Sequence, residues 1–286
     1  MELRIVSPAE QPEALHRLIS QAALKFPEQH AASMQWTGLA LGNELIACAG
    51  MEVHGSDGLL RSMAVSPDVQ RKGYGSALLK AVMLMARMQQ MNALYLFTEQ
   101  ASDFFLRHGF SNADRLTLPP SIAQSEQAVA DCGGHANIMF CPVPATPPVF
   151  LVLCTGNSCR SQMAHAYLEH FLAGAGQVYS AGIETHGLNP GAVSILQEDG
   201  LDITHHTSNH VNEYRDVHFD LILTVCDHAK EHCPWIPGNA LRIHHNFSDP
   251  SKVQGTSEEI HSAFLQTREE VKSYCRNLIS ALGIRR

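Results

Sequence analysis

In the stretch VFLVLCTGNSCRSQMAHAYLEHFL, five residues separate Cys154 from Arg160, Cys159 sits beside the arginine, and Ser161 follows it. An apolar run ends at the cysteine and an amphipathic run begins at the arginine. Thr155, Gly156, Asn157, Ser158 and Cys159 therefore form a loop between a strand and a helix. A loop in that position aims successive backbone N–H groups inward, making an anion nest that the helix dipole strengthens. A cysteine there is expected to have a depressed pKa and to be a thiolate at neutral pH. Arg160 can clamp a tetrahedral oxyanion in bidentate fashion, and Ser161 can hydrogen-bond the nucleophile. The chemistry on offer is hydrolysis of a phosphate ester, reduction of an oxyanion, or metal binding. A tetrahedral substrate also needs an acid for its leaving oxygen. NFSDPS supplies Asp249, before Pro250 and after the strand-like LRIHHNF.

Two further groups could do chemistry. DLILTVCDHAKEHCPWIPG holds Cys226 and Cys233 after a strand-like run. Cys226, His228, His232 and Cys233 could be drawn as zinc ligands, but their spacing matches no common zinc pattern, so no metal is expected there. Nearer the start, the strand LLRSMAV runs into Gln70, Arg71, Lys72, Gly73, Tyr74, Gly75 and Ser76, and then into a helix. Glycines between a strand and a helix let the backbone approach a ligand closely, and the helix N-terminus presents free N–H groups to an anion. Arg71 and Lys72 add positive charge.

The elements that must position these groups are legible as periodicity. Met163, Ala164, Tyr167, Leu168, Phe171 and Leu172 give the helix after Arg160 its buried face. Leu78, Leu79, Val82, Met85 and Ala86 do the same for the helix after Ser76. The methionines from Met83 to Met91 read as core packing. Residues 141–148, CPVPATPP, hold four prolines and favour an extended connector. Strand–helix alternation starts afresh at VFLVLC, so two α/β domains are expected, residues 1–143 and 149–286, and a chain of 286 residues accommodates both.

Apolar residues make up 45% of the chain, enough for real cores and against wholesale disorder. A net charge of −8 without a basic run argues against a large nucleic-acid face. MELRIVSPAEQPEALHRLIS has no signal-peptide core, and nowhere do about 18 apolar residues run together. A cytoplasmic chain with no membrane span is expected, in which eight cysteines read as thiols, ligands or catalysts rather than disulfides. The seventeen histidines, with pairs at His205-His206 and His244-His245, read as surface and satisfied core groups.

The first half resembles the GNAT superfamily of N-acetyltransferases, over roughly residues 1–140. Gln70 to Ser76 match its Gln/Arg-x-x-Gly-x-Gly/Ala loop, and GLLRSMAV, LYLFTEQASDFFLRHGF and PPSIAQSEQAVADCGGHANIMF look like the acetyltransferases associated with arsenic-resistance genes. The resemblance implies a mixed-sheet α/β domain that binds acetyl-CoA. The Gln70–Ser76 loop would hold the pyrophosphate, and the backbone of Met63, Ala64 and Val65 in a bulged strand would hold the pantetheine. A small amine of unknown identity would be the acceptor. Many members place a tyrosine as general acid where this chain has Phe104 and Phe105, which cannot donate a proton. Glu52, on a strand facing the cofactor, is the candidate base.

The second half resembles the low-molecular-weight protein tyrosine phosphatase fold, which implies a parallel-sheet α/β domain. That fold is shared by phosphatases and by thioredoxin-coupled arsenate reductases. CTGNSCRSQMA, YSAGIETHGLNP, HHTSNHV, VCDHAKEHCP and FSDP are similar to the reductases over about residues 149–284. The resemblance implies that Cys154 attacks arsenate, Cys226 attacks Cys154 and expels arsenite, and Cys233 moves the disulfide to Cys226-Cys233 for reduction by thioredoxin. A phosphatase has no use for the second cysteine pair, and Ser251 and Lys252 stand where phosphatases tend to carry aryl-packing tyrosines. Some of these reductases bind potassium through Asn, Ser and two carboxylates. Asn157 and Ser180 match, but His165 and Asn209 replace the carboxylates. A tyrosine phosphatase is the alternative, and a non-enzymatic arsenic sensor using three thiols is a third reading.

Overall fold

A computed structural model describes residues 2–27, 34–130, 135–232 and 236–284. The chain divides into two compact units, built mainly from Ile5–Pro147 and from Pro148–Ser280.

The first unit runs β1 (Leu3–Val6), α1 (Pro12–Gln21), β2 (Gln35–Leu41), β3 (Glu44–His54), β4 (Asp57–Val65), α2 (Tyr74–Met88), β5 (Ala93–Thr98), α3 (Ser102–Leu106), β6 (Ser111–Asn112), α4 (Pro120–Ala123), α5 (Glu126–Ala130) and β7 (Asn137–Pro142). Its seven strands form one mixed sheet in the order β1-β2-β3-β4-β5-β7-β6. Two irregularities open a cleft in it. β4 pairs with β5 in parallel only from Asp57 to Leu59, so the two strands part beyond that point. The register of β3 with β4 also shifts between Cys48 and Gly50, and Ser62 of β4 adopts φ +50°. A bulge of this kind bends a strand and leaves backbone groups outside the ladder. The helical face expected of α2 is the one it buries: Leu78, Leu79, Val82, Met85 and Ala86 all lie in the core, with Met88 and Met91.

The second unit runs β8 (Val149–Cys154), α6 (Arg160–Leu172), β9 (Gln177–Gly182), α7 (Pro190–Gln197), β10 (Leu221–Thr224), α8 (Asp227–His232), β11 (Leu241–His244) and α9 (Ser257–Ala281). Its four-stranded sheet, ordered β11-β10-β8-β9, is parallel throughout. β8 is interior to the sheet, which explains why Phe150, Leu151, Val152 and Leu153 are all apolar and buried. Truncating Leu151 or Leu153 to alanine should cost about 2–5 kcal/mol. α6 buries Met163, Ala164, Tyr167, Leu168, Phe171 and Leu172, the face read from the sequence. A mixed-sheet and a parallel-sheet α/β unit are what the two resemblances imply. Among the described residues, no helix is long and apolar enough to cross a membrane.

Candidate active site

The strand β8 ends on Cys154 and α6 begins at Arg160, so the loop between them lies at the carboxyl edge of the sheet. Four of its carbonyl oxygens are held by groups beyond the loop. Thr155 O accepts from Glu184 N at 2.9 Å, Gly156 O from His186 N at 3.0 Å, and Ser158 O from Asn189 N at 3.0 Å. Asn157 O accepts from the Gln162 side chain at 3.0 Å. In a planar peptide the N–H opposes the C=O, so carbonyls turned outward leave the following amides turned inward. Asn157 takes a left-handed conformation (φ +45°), which asparagine tolerates better than most residues. Gly182 is required where β9 meets the loop. A Cβ there would collide with the Glu184 carbonyl and lie 2.6 Å from Thr155 O and 2.8 Å from Asn157 N.

Inside this cradle Cys154 is buried. Its Sγ lies 2.8 Å from Ser161 Oγ and accepts from Asn157 N at 3.0 Å. The Asn157 side chain donates through Nδ2 to Ser161 Oγ at 3.1 Å. Burial pushes the Cys154 thiol up. The Ser161 hydroxyl and the amides of Asn157 and Ser158 oppose this, while the neighbouring Cys226 adds to it. Burial wins, so the depressed pKa expected from the loop and the helix dipole is not what the structure gives. The same packing that turns the amides inward also removes the sulfur from water. Cys159 is likewise buried, and burial first, then Asp249, pushes its thiol up to about 12.

The other residues singled out in the second half converge on a cleft of about 750 Å³ lined by Cys154, Arg160, Cys226 and Asp249 among others. Arg160 donates to Asp249 Oδ2 at 2.7 Å and to Phe247 O at 3.2 Å. Asp249 Oδ1 accepts from the Ser251 amide and hydroxyl, which fixes the carboxylate at the start of the next turn. Cys226 is buried, 3.4 Å from Thr155 Oγ1, and its Sγ accepts from Ala229 N at 3.4 Å. Cys233 lies outside the described residues.

The sequence reading missed a cluster behind the loop. Among the described residues, His165, Glu169 and His206 are the one His/Cys/Asp/Glu group whose ligand atoms lie close enough to share an ion. His165 also reaches Ser180 Oγ at 3.0 Å, and Asn157 Oδ1 accepts from Asn209 N at 2.8 Å, so both potassium-type residues are already engaged. The His165-x3-Glu169 spacing was a usable signal, but nothing local pointed to His206.

In the first unit, Met63, Ala64, Val65, Gln70, Arg71, Gly73, Gly75 and Ser76 line a second cleft, of about 730 Å³, with Phe104 and Phe105. Gln70 ties the loop to β4 by donating to Val65 O at 3.1 Å. Gly73 caps α2 with φ +88°, and the first-turn amides that follow have no acceptor within the helix. Lys72 and Tyr74 are not in the lining, and Lys72 turns back to Asp68 O at 3.3 Å. Glu52 is not in the lining either. It is buried and bound by Arg61, which does face the cleft, and by His54 at 3.1 Å. A carboxylate whose lone pairs are occupied in this way is poorly placed to take a substrate proton.

Residues 149–285 match the family described as low molecular weight phosphotyrosine protein phosphatase, and residues 35–112 match the acetyltransferase (GNAT) domain. The arsenate reductase of Halalkalibacterium halodurans is 46% identical over 123 residues, covering 43% of this chain and 88% of that one. The arsenate reductase of Bacillus subtilis is 44% identical over the same shares. A solved structure described as an arsenate reductase in the phosphate binding state is 26% identical, covering 48% of this chain and 99% of that one, with a TM-score of 0.39. The chain therefore belongs, through its C-terminal half, to the arsenate reductase family on the low-molecular-weight phosphatase fold, joined to an N-terminal GNAT acetyltransferase domain.

Proposed function

We propose that the C-terminal half reduces arsenate to arsenite by a thiol–disulfide relay that thioredoxin regenerates. The observation that carries this reading is the second thiol. Cys226 is buried in the same cleft as Cys154 and bonded to Thr155, the residue next to the nucleophile. Phosphate-ester hydrolysis needs no such group.

Arsenate is held by the inward amides of Gly156–Cys159 and by Arg160. Because burial favours the Cys154 thiol, its proton leaves as the oxyanion arrives, and the thiolate attacks arsenic. Asp249 takes up the proton that the thiol loses and delivers it to the departing hydroxyl, so the two leave together as water and Asp249 ends as the carboxylate. Cys226 then attacks Cys154 Sγ. The S–S bond forms, the S–As bond breaks, and its electron pair stays on arsenic, which departs as arsenite. Cys233 attacks Cys226 and frees Cys154. The Cys226-Cys233 disulfide then passes to the thioredoxin dithiol by exchange.

The N-terminal half transfers an acetyl group from acetyl-CoA to a small amine. The pyrophosphate lies on the first-turn amides of α2, and the pantetheine lies along the bulged Met63–Val65 backbone, where β4 and β5 part. Together the two halves serve arsenic detoxification in the cytoplasm, as independent domains of residues 1–143 and 149–286.

The test is arsenate-dependent NADPH oxidation with thioredoxin and thioredoxin reductase. Sustained turnover is expected. Hydrolysis of an aryl phosphate without arsenate turnover would favour the phosphatase reading, and calorimetry with acetyl-CoA tests the other half separately.

A further inference from the structure

His165 lies on α6 one turn before Glu169, and His206 comes from the segment between α7 and β10. The Nε2 atoms of both rings face the same carboxylate: His165 Nε2 is 3.3 Å from Glu169 Oε1, and His206 Nε2 is 3.6 Å from Glu169 Oε2. The rings lean together with centroids 4.5 Å apart.

The remaining nitrogens fix the chemistry. Gln162 Nε2 donates to the carbonyls of Asn157 and Thr207, each at 3.0 Å, so its amide orientation is settled by two acceptors. Its Oε1 must then accept from His206 Nδ1, 3.0 Å away. With the proton on Nδ1, neutral His206 presents the lone pair of Nε2 to Glu169. His165 Nδ1 is likewise engaged, by Ser180 Oγ at 3.0 Å. The His206 lone pair is open to a cation, a proton or a metal ion, placed between the ring and the carboxylate. Ligand atoms about 2.0–2.2 Å from one tetrahedral ion stand about 3.3–3.6 Å apart. Each ring nitrogen stands at such a distance from one of the two carboxylate oxygens, and one ligand atom from each of the three residues can be taken so that all lie within 4.8 Å of one another. Each histidine also has the hydrogen bond on its far nitrogen that orients metal-binding imidazoles.

We propose that His165, Glu169 and His206 bind one zinc-class divalent ion, with water completing a tetrahedral shell. The site has a direct line to the nucleophile. Gln162 joins His206 to Asn157 O, and Asn157 N–H in turn holds Cys154 Sγ. The ion is too far back in this chain of contacts to touch substrate, so its role is to fix the loop.

Cobalt(II) titrated into the full reduced chain tests this, because its spectrum separates the proposed site from the cysteines. The expected result is one ion per chain with visible d–d bands and no sulfur-to-cobalt charge-transfer band. Glu169→Gln, at a half-exposed position, should weaken binding at least about tenfold, and His206→Ala should do the same. Circular dichroism checks that both variants fold. No binding by the wild type, a sulfur charge-transfer band in place of the d–d signature alone, or unchanged affinity in folded Glu169→Gln would each overturn the proposal.

Discussion

The chain builds two loops on one plan, strand then loop then helix, and finishes them differently. The Cys154–Arg160 loop is clamped from outside by Glu184, His186, Asn189, Ser208, Asn209 and Gln162, and Asn157 within it and Ser161 just after it are fully buried. The Gln70–Ser76 loop is tied down by Gln70 to Val65 O and by Lys72 to Asp68 O, and its first residues are exposed. The difference follows from the task each loop is proposed to perform. A loop that orients a nucleophile against a small oxyanion must hold atoms within fractions of an ångström. A loop that cradles the pyrophosphate of a large cofactor needs only its amides and open space, because the rest of the cofactor supplies binding energy elsewhere.

The comparison breaks most completely at the sulfur. Cys154→Ser should lower both arsenate reduction and aryl-phosphate hydrolysis by at least about a thousandfold, because a hydroxyl at neutral pH is a poor nucleophile. Cys226→Ser should abolish reduction to the same degree but leave aryl-phosphate hydrolysis within about threefold, since hydrolysis never uses the second thiol. The measurements are single-turnover arsenite release and steady-state hydrolysis on the same preparations. Repeated arsenate turnover by Cys226→Ser with thioredoxin would replace the relay with direct attack on Cys154 by an external thiol.

Next in size is a pair of glycine substitutions, one at each loop. At Gly182 an added Cβ meets backbone on three sides, none of which can yield. Gly182→Ala should lower stability by about 1–3 kcal/mol and displace the loop, with activity falling accordingly. At Gly75 an added Cβ would meet only the Phe104 ring at 3.5 Å and Val65 at 3.9 Å, ordinary contacts. Gly75→Val should change stability by at most about 1 kcal/mol yet weaken acetyl-CoA binding at least about tenfold, by filling the cleft. Denaturant melts and calorimetry on both variants check the contrast. Equal destabilisation by the two would mean that the second loop is as tightly clamped as the first.

How much of this was legible depends on how local the signal is. The Cys154–Arg160 loop was readable as a strand–loop–helix turn because everything that defines it lies within one run: a buried strand, a five-residue gap, and a helix with a 3.6-residue apolar period. The ionisation of Cys154 was not readable. The clamping residues, from Glu184 to Asn209, come from distant segments, and they determine how far the sulfur is removed from water. Glu52 shows the same limit in a strand. Its place on a strand of the cofactor-binding half suggested a carboxylate facing the cofactor, but Arg61 from the neighbouring strand takes the cleft face and pairs with Glu52. The His165–Glu169–His206 cluster needed the tertiary fold outright, because His206 is brought to α6 by a hydrogen bond to Gln162 that no periodicity announces.

Ser161 sharpens the reading of the buried thiol. Its hydroxyl is the foremost group opposing the upward push of burial on Cys154. Ser161→Ala should therefore move the Cys154 pKa higher still, because the thiolate loses a hydrogen bond that favours the charged form. Alkylation of Cys154 at fixed pH should slow, and its pH profile should shift to the alkaline side. A shift to lower pH would mean that the serine donates nothing to the sulfur and serves only as the acceptor for Asn157 Nδ2.

The smallest effect is expected at Cys159, which shares the loop and the cleft with the nucleophile but has none of its donors. Burial holds its thiol up to about 12, and Cys48 in the other unit is held at about 12 by burial too. At neutral pH both are thiols, so Cys159→Ala should change reduction less than about threefold. Iodoacetamide at pH 7 should spare both cysteines until the chain unfolds. Their contribution to stability has a definite sign. A group whose folded pKa is raised contributes fully below its unfolded value, 9.0 for a thiol, and loses that contribution as pH climbs toward the folded value. Between pH 9 and pH 12 each such thiol should therefore remove about 1.4 kcal/mol of stability per pH unit. Cys159→Ala carries its own packing cost at every pH, but it should flatten this alkaline slope by one thiol's share. Comparing its stability loss at pH 7 and pH 10 cancels the packing cost and isolates the ionisation. An unchanged slope would mean that Cys159 ionises freely in the folded chain, and its place beside Arg160 would then mark it as a second reactive thiol in the loop.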